Sequence, residues 1–197
     1  EREGRRVRVR RQTRETEIEV AIDLDGTGAA DVATGVAFYD HLLTSLAHHA
    51  LLDLEVRATG DLDVDEHHTV EDVALVVGAA FAEALGDRVG IARFGQSSVP
   101  MDEALATAVV DVGGRPYAVI DLPFHGDRAG GLPLQLVEHA LEAFARTGGT
   151  TLHVTGNGRN DHHLAEAAFK ALGRALRVAC EIDARRDGVA STKGALG

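Results

Sequence analysis

Apolar and polar residues alternate along Val7–Thr13 and again along Thr16–Leu24, the period expected of half-buried strands. LDGTG follows as a turn. From Val36 to Ala50 the apolar positions fall at helical spacing, and LLDLEVRATG from Leu51 returns to a strand and turn. Thr69–Leu85 reads as a helix with Thr69 as its N-cap. The order then recurs. Leu105–Val112 and Tyr117–Leu122 read as strands joined at GGRP, Leu134–Thr147 as a helix, Thr150–Val154 as a strand and His162–Cys180 as a long amphipathic helix. Each half therefore predicts a ββαβα unit, residues 1–92 and 93–197, and the fold class is α/β of the α+β type with sheets packed against helices.

Direct comparison of the halves supports an internal duplication. His41 matches His139 at an offset of 98 positions, with Phe38-Tyr39-Asp40-His41 lying over Leu136-Val137-Glu138-His139. LLDLEV lies over GTTLHV at the same offset without a gap. The next matched motif is HH-x-x-E, at His67, His68, Glu71 and again, 95 positions on, at His162, His163, Glu166.

Positions i+3 and i+4 share a helix face, so each glutamate can sit beside the histidines that precede it. Imidazole with carboxylate suits Mn, Fe, Co or Zn. The candidate ligands are His41, His67, His68, Glu71, His139, His162, His163 and Glu166. Three histidines and one glutamate per site would leave positions open on a six-coordinate ion. Adjacent helical residues point about 100° apart, so the two histidines of a pair are expected to serve different ions, one of them across a pseudo-two-fold or a subunit boundary. Two metal ions and an oligomer follow. A lone histidine pair at a helix start is ordinarily a surface or capping feature; its duplication with the glutamate argues against that here. His48, His49, His125 and His153 have no duplicated partner and read as packed or exposed residues, with His49 in or near the core.

Composition narrows the function further. The chain has 197 residues and a net charge of −11, which disfavours nucleic-acid binding, although the arginines of the first fourteen residues can make a local basic patch. Aromatic residues are only 4%, too few for a base-stacking platform. No apolar run reaches membrane-spanning length, and the basic N-terminus lacks the apolar stretch of a secretory signal. One cysteine, Cys180, excludes an intramolecular disulfide and fits a cytoplasmic protein.

The sequence resembles the imidazoleglycerol-phosphate dehydratase family over nearly its whole length. The resemblance rests on RRQTRETEIEV, FYDHLLTSLAHHALLDLEV, TGDLDVDEHHTVEDVALVVG, ARFG, VPMDEALA, DVGGRPY, LVEHALEAFA, GRNDHHLAEAAFKALGRAL and STKG. Ser45 departs from it, since the family pattern implies glutamine there. The resemblance implies a duplicated, ribosomal-S5-domain-2-like fold with a four-stranded sheet in each half. It implies a 24-subunit homo-oligomer and two Mn(II) ions per active site, with ligands shared between subunits. It also implies a phosphorylated small-molecule substrate held by Arg93, Arg115, Lys170, Ser191 and Lys193, and Glu15 as the general acid/base. The implied reaction is dehydration of imidazoleglycerol phosphate to imidazoleacetol phosphate in histidine biosynthesis, with no fused phosphatase domain expected. The residues alone leave two alternatives open: a dinuclear-metal hydrolase of a phosphorylated small molecule, and a metal-organised shell without catalysis.

Overall fold

The computed structural model describes residues 4–196. In the first half, strands β1 (Arg6–Gln12), β2 (Thr16–Asp23), β3 (Ala30–Ala33) and β4 (Asp53–Gly60) form one sheet in the order β1-β2-β4-β3. Helices α1 (Ala37–Ala50) and α2 (His67–Leu85) flank β4 in sequence. In the second half, β5 (Phe94–Met101), β6 (Ala104–Asp111), β7 (Tyr117–Asp121) and β10 (Thr151–Asn157) form a sheet in the order β5-β6-β10-β7. A small hairpin, β8 (Arg128–Ala129) and β9 (Leu132–Pro133), precedes helix α3 (Gln135–Gly148), and helix α4 (Asp161–Cys180) closes the second half. The mixed α/β class is as expected, and the two sheets share one topology.

Each four-stranded sheet holds one strand more than the sequence pattern indicated, and the two-residue strands β8 and β9 are further additions in the second half. β3 is four residues long, pairs in parallel at a sheet edge and alternates only between half-buried and exposed, so its periodicity is faint. β5 carries Gly95 and Pro100, both poor strand residues, yet it is an edge strand where proline costs little. Thr69 is not the N-cap of α2. The helix begins at His67 after Glu66, and Thr69 is fully buried in its first turn against Gly60. The cap position thus lies three residues before Thr69, and both histidines of the pair stand on helical backbone.

One apolar core runs through both halves. Ile18, Val20 and Ile22 of β2 and Ala106, Ala108 and Val110 of β6 point into it, while alternate positions face outward. Among the described residues, Arg5, Arg6, Arg8, Arg10 and Arg11 are each paired with a carboxylate. Arg8 pairs with Glu19, Arg10 with Glu17 and Arg6 with Asp23 at 2.7 Å, each across the β1-β2 pair, and Arg8 also reaches over β2 to Glu55 of β4 at 2.9 Å. No described helix is long and apolar enough to cross a membrane.

The helices pack across the halves, α1 on α4 and α2 on α3. Two glycines permit it. A Cβ at Gly173 of α4 would lie 2.5 Å from the carbonyl oxygen of Leu46 in α1, and one at Gly78 of α2 would lie 2.6 Å from that of Phe144 in α3. Gly78 and Gly173 are 95 positions apart, and Leu46 and Phe144 are 98 apart, the same offsets as the histidine motifs. Each pair runs parallel with its N-terminal ends together, since His41 of α1 approaches Glu166 of α4 where Leu46 approaches Gly173, and His139 of α3 approaches Glu71 of α2 where Phe144 approaches Gly78. Gly78→Ala should lower stability by about 1–3 kcal/mol through overpacking, despite a helix-propensity gain of about 1 kcal/mol. Chemical denaturation measures this; an unchanged or higher midpoint would show that the helices can separate without cost.

Candidate metal centre

The parallel pairing of helices brings the duplicated motifs together crosswise. His41 at the start of α1 meets His162 and Glu166 at the start of α4, and His139 at the start of α3 meets His67 and Glu71 at the start of α2. Each group offers two imidazole nitrogens and one carboxylate oxygen, all within 4.8 Å of one another. In each group the single histidine comes from one half and the HH-x-x-E pair from the other.

In the first group, His41 Nε2 and His162 Nε2 lie 3.1 and 3.2 Å from Glu166 Oε2. Phe38 packs against the His162 ring at 4.7 Å. Lys170 Nζ, one turn along α4, donates to Glu166 Oε1 at 2.7 Å. Burial alone would raise the Glu166 carboxyl, but the hydrogen bonds from Lys170 and His41 pull it down to about 2. The carboxylate is therefore ionised, as a metal ligand must be. In the second group, His67 Nε2 lies 3.6 Å from Glu71 Oε2, and His139 Nε2 and Arg146 lie 3.4 and 3.3 Å from Glu71 Oε1. The cation beside each glutamate thus differs: Lys170 on the same helix in one group, Arg146 on the partner helix in the other.

The donor set fits a divalent transition metal. A further observation agrees. Among the described residues His139 Nε2 is buried and has no hydrogen-bond partner, although it faces Glu71 and His67, with the His67 and His139 rings 5.0 Å apart. A buried imidazole nitrogen left without a partner is costly unless something binds it.

His68 and His163 do not join these groups. Neighbouring helical residues project about 100° apart around the axis, and the rings of His68 and His163 stand edge-on to those of His67 and His162, at 83° and 89°. His68 Nδ1 lies 2.8 Å from Asp61 Oδ2 and 3.6 Å from Glu15 Oε2. The hydrogen bond to Asp61, with Glu15 nearby, raises the pKa of His68. His163 Nδ1 lies 2.9 Å from Glu103 Oε2. Each intrachain group therefore holds two histidines, and the third expected for each site is turned elsewhere. Glu15 sits at the turn between β1 and β2 with its side chain exposed, and its own N–H donates to Thr13 Oγ1 at 3.1 Å.

The anion-binding candidates fall at two places. Lys170 is at the first group. The others gather at the C-terminal ends of the helices. Arg93 holds Asp111 with Nε at 2.7 Å and Nη2 at 2.9 Å, and its Nη1 donates to the Ala190 carbonyl at 2.7 Å. It thus anchors the tail that carries Ser191 and Lys193, and its guanidinium also abuts Gly113, two residues from the exposed Arg115. The backbone N–H of Arg93 donates to the carbonyl of Ala179, near the end of α4. Glu166 is thirteen residues earlier on the same helix, which at 1.5 Å per residue separates the two by about 20 Å.

Ser45 is buried on α1, one turn from His41. His49 is half-buried, and burial together with the charges of His48, Lys170 and Arg174 lowers its pKa. His153 is exposed on β10, and His125 is exposed beside Asp161 at 3.5 Å. The sequence assigns no site role to Asp61, Glu103, Arg146 or Phe38, and Phe38 enters there only as part of the duplicated segment. Asp61 and Glu103 hold the second histidine of each pair but come from unequal places, the end of β4 and the β5–β6 turn, so matching the halves could not reveal them.

The sequence model for "Imidazoleglycerol-phosphate dehydratase" matches residues 34–176, which include every residue of both groups. The chain belongs to the imidazoleglycerol-phosphate dehydratase family. It is 54% identical to the imidazoleglycerol-phosphate dehydratase of Methanoculleus marisnigri over 95% of this chain and 97% of that one. It is also 54% identical to that of Acidiphilium cryptum, over 98% of this chain and all of the other. Among solved structures it resembles the Pyrococcus furiosus member with a TM-score of 0.82 at 37% identity, covering 95% of this chain and all of that one. The Staphylococcus aureus member gives 0.81 at 34% identity, covering 89% and 98%. The family is one of hydro-lyases, and the chain is an enzyme of that class.

Proposed function

We propose that this chain catalyses the metal-dependent dehydration of imidazoleglycerol phosphate to imidazoleacetol phosphate in histidine biosynthesis. The observation that carries the reading is the crosswise meeting of the two HH-x-x-E motifs with His41 and His139, which gives the chain two matched groups of metal-ligand type. His41, His162 and Glu166 would hold one ion, and His67, Glu71 and His139 the other, with His68 and His163 completing sites in neighbouring subunits. We assign Mn(II), two per active site, in a 24-subunit cytoplasmic assembly of chains whose halves, 1–92 and 93–197, arose by duplication.

Bound there, a divalent ion supplies a Lewis acid for the imidazole ring of the substrate. The chain supplies the rest. Lys170 keeps Glu166 ionised and in place. Glu15 is exposed, close to His68 and free of any structural side-chain bond shorter than that contact, so it can take the proton from the substrate carbon beside the departing hydroxyl. Loss of that proton and of hydroxide leaves an enol, which becomes the ketone. Arg115, Ser191 and Lys193 bind the phosphate, with Arg93 holding the tail against them.

The test is reconstitution. Chelator-stripped protein should form no ketone from imidazoleglycerol phosphate, and Mn(II) should restore formation. Protein that binds Mn(II) yet stays inactive would favour a hydrolase or a non-catalytic shell.

A further inference from the structure

The second histidine of each pair is gripped by a carboxylate from outside its helix. Glu103 uses Oε2 for His163 Nδ1 and Oε1 for the backbone N–H groups of Arg159 and Asn160, at 3.0 and 2.7 Å. Asp61 uses Oδ2 for His68 Nδ1, while its Oδ1 is buried and has no partner among the described residues. An ionised carboxylate only accepts, so each Nδ1 must donate. A neutral imidazole with its proton on Nδ1 carries its lone pair on Nε2. The contact of His163 Nε2 with the exposed Asp102, at 3.9 Å, is too long for a hydrogen bond and leaves that nitrogen open.

We propose that Asp61 and Glu103 are positioning residues that fix His68 and His163 in the Nδ1–H form, so that each presents Nε2 as its ligand atom. The inference rests on the metal reading above, since it states how two of the proposed ligands are prepared.

Sheet register adds a second strand to the argument. β2 pairs Ile18 with Ala58 of β4, and β6 pairs Ala106 with Gly156 of β10. Superposing the halves on these pairs places Glu15 on Glu103, each at the turn before its strand. In the second half the turn carboxylate is captured, by His163 and two backbone N–H groups. In the first half Asp61 takes over that task, and Glu15 stands 3.6 Å off with its side chain exposed. Substituting Asp61 for the turn carboxylate is what releases Glu15 for proton transfer. Outer carboxylates of this kind ordinarily contribute 10- to 100-fold to metal affinity, by about that range across known metal sites.

The two positions respond differently to amide replacement. In Glu103→Gln the amide oxygen must stay on the N–H groups of Arg159 and Asn160, which turns the NH2 toward His163. That group donates, so Nδ1 must accept and the proton moves to Nε2, where it blocks the ligand atom. Asp61→Asn has no such constraint, because Oδ1 has no donor to satisfy; its amide oxygen can remain on His68.

Mn(II) titration followed by the electron paramagnetic resonance of the free ion, with thermal melts as the folding control, tests this. Glu103→Gln should weaken one class of Mn(II) site by about 10- to 100-fold, more than Glu103→Ala, while Asp61→Asn stays within a few-fold of wild type. Wild-type affinity in Glu103→Gln, or a greater loss in Glu103→Ala, would overturn the proposal. Wild-type protein that binds no Mn(II) would overturn the metal reading itself, and this inference with it. Should Glu103→Gln fail to fold, solid-state 15N spectra of histidine-labelled, metal-free wild type decide. Loss of one wild-type Nδ1–H signal in each of His68→Gln and His163→Gln upholds the assignment; an unchanged set of Nδ1–H signals in either refutes it.

Discussion

Glu15→Gln should keep its metal and lose its turnover. The side chain leaves a hairpin turn whose conformation is held by Thr13, through backbone bonds to Thr13 Oγ1 from Glu15 and Thr16. The carboxylate itself is exposed and makes only the 3.6 Å approach to His68. Replacing an exposed carboxylate by its amide at such a place ordinarily changes stability by less than about 0.5 kcal/mol. Proton transfer by a positioned carboxylate is worth far more, so kcat should fall by about 10²- to 10⁴-fold. KM should change little, because the residue acts on a proton in flight and holds no bound group. The measurement pairs steady-state kinetics with Mn(II) content per chain. Near-wild-type turnover with a full metal complement would remove Glu15 from the mechanism. Lost metal would show that it acts through His68, as Asp61 does.

That contrast shows what could and could not be foreseen from the residues. HH-x-x-E is legible because helical spacing puts i and i+4 on one face, and the structure places His67 beside Glu71 and His162 beside Glu166. The repeat made the motif credible. The crosswise pairing was not legible. It depends on α1 lying against α4 and α2 against α3, and these contacts are set by Gly78 and Gly173, where the lack of a side chain admits a neighbouring carbonyl. A glycine inside an apolar helix reads in sequence only as a weak point. The missed strands have a similar cause. β3 and β5 are edges, where burial on one side is partial and alternation fades. Thr69 looked like a cap because a threonine before an apolar run is a good one, but its side chain is buried against Gly60 and the helix starts at His67. Asp61 and Glu103 could not be found by repeat matching because the two halves solve the same problem from different places. The register-based equivalence of Glu15 and Glu103 needs the strand pairing.

The second large effect concerns the separation between the metal groups and the anion-binding tail. His162→Ala removes a proposed ligand, and Lys193→Ala removes a proposed phosphate contact at the opposite end of the helices. Each variant alone should lose at least about 10²-fold in activity, as misplaced or unbound substrate ordinarily does. Co-assembled, they should recover. Glu166 and the Arg93 anchor lie about 20 Å apart along α4, too far for one small phosphorylated molecule to touch both within a chain. An active site needing both must take the metal groups from one subunit and the tail from another. In a randomly mixed oligomer roughly a quarter of such two-chain sites draw both intact parts, so activity should return to about that fraction of wild type. The experiment co-expresses the two variants with different affinity tags, purifies through both and assays the mixed assembly. If each site were built within one chain, every chain in the mixture would still carry a defect, and the mixed assembly would be as inactive as its parents. Recovery well above the parents therefore requires sites that span subunits, and a further neighbour that supplies only His68 or His163 leaves the fraction at a quarter, because both variants keep those two residues intact.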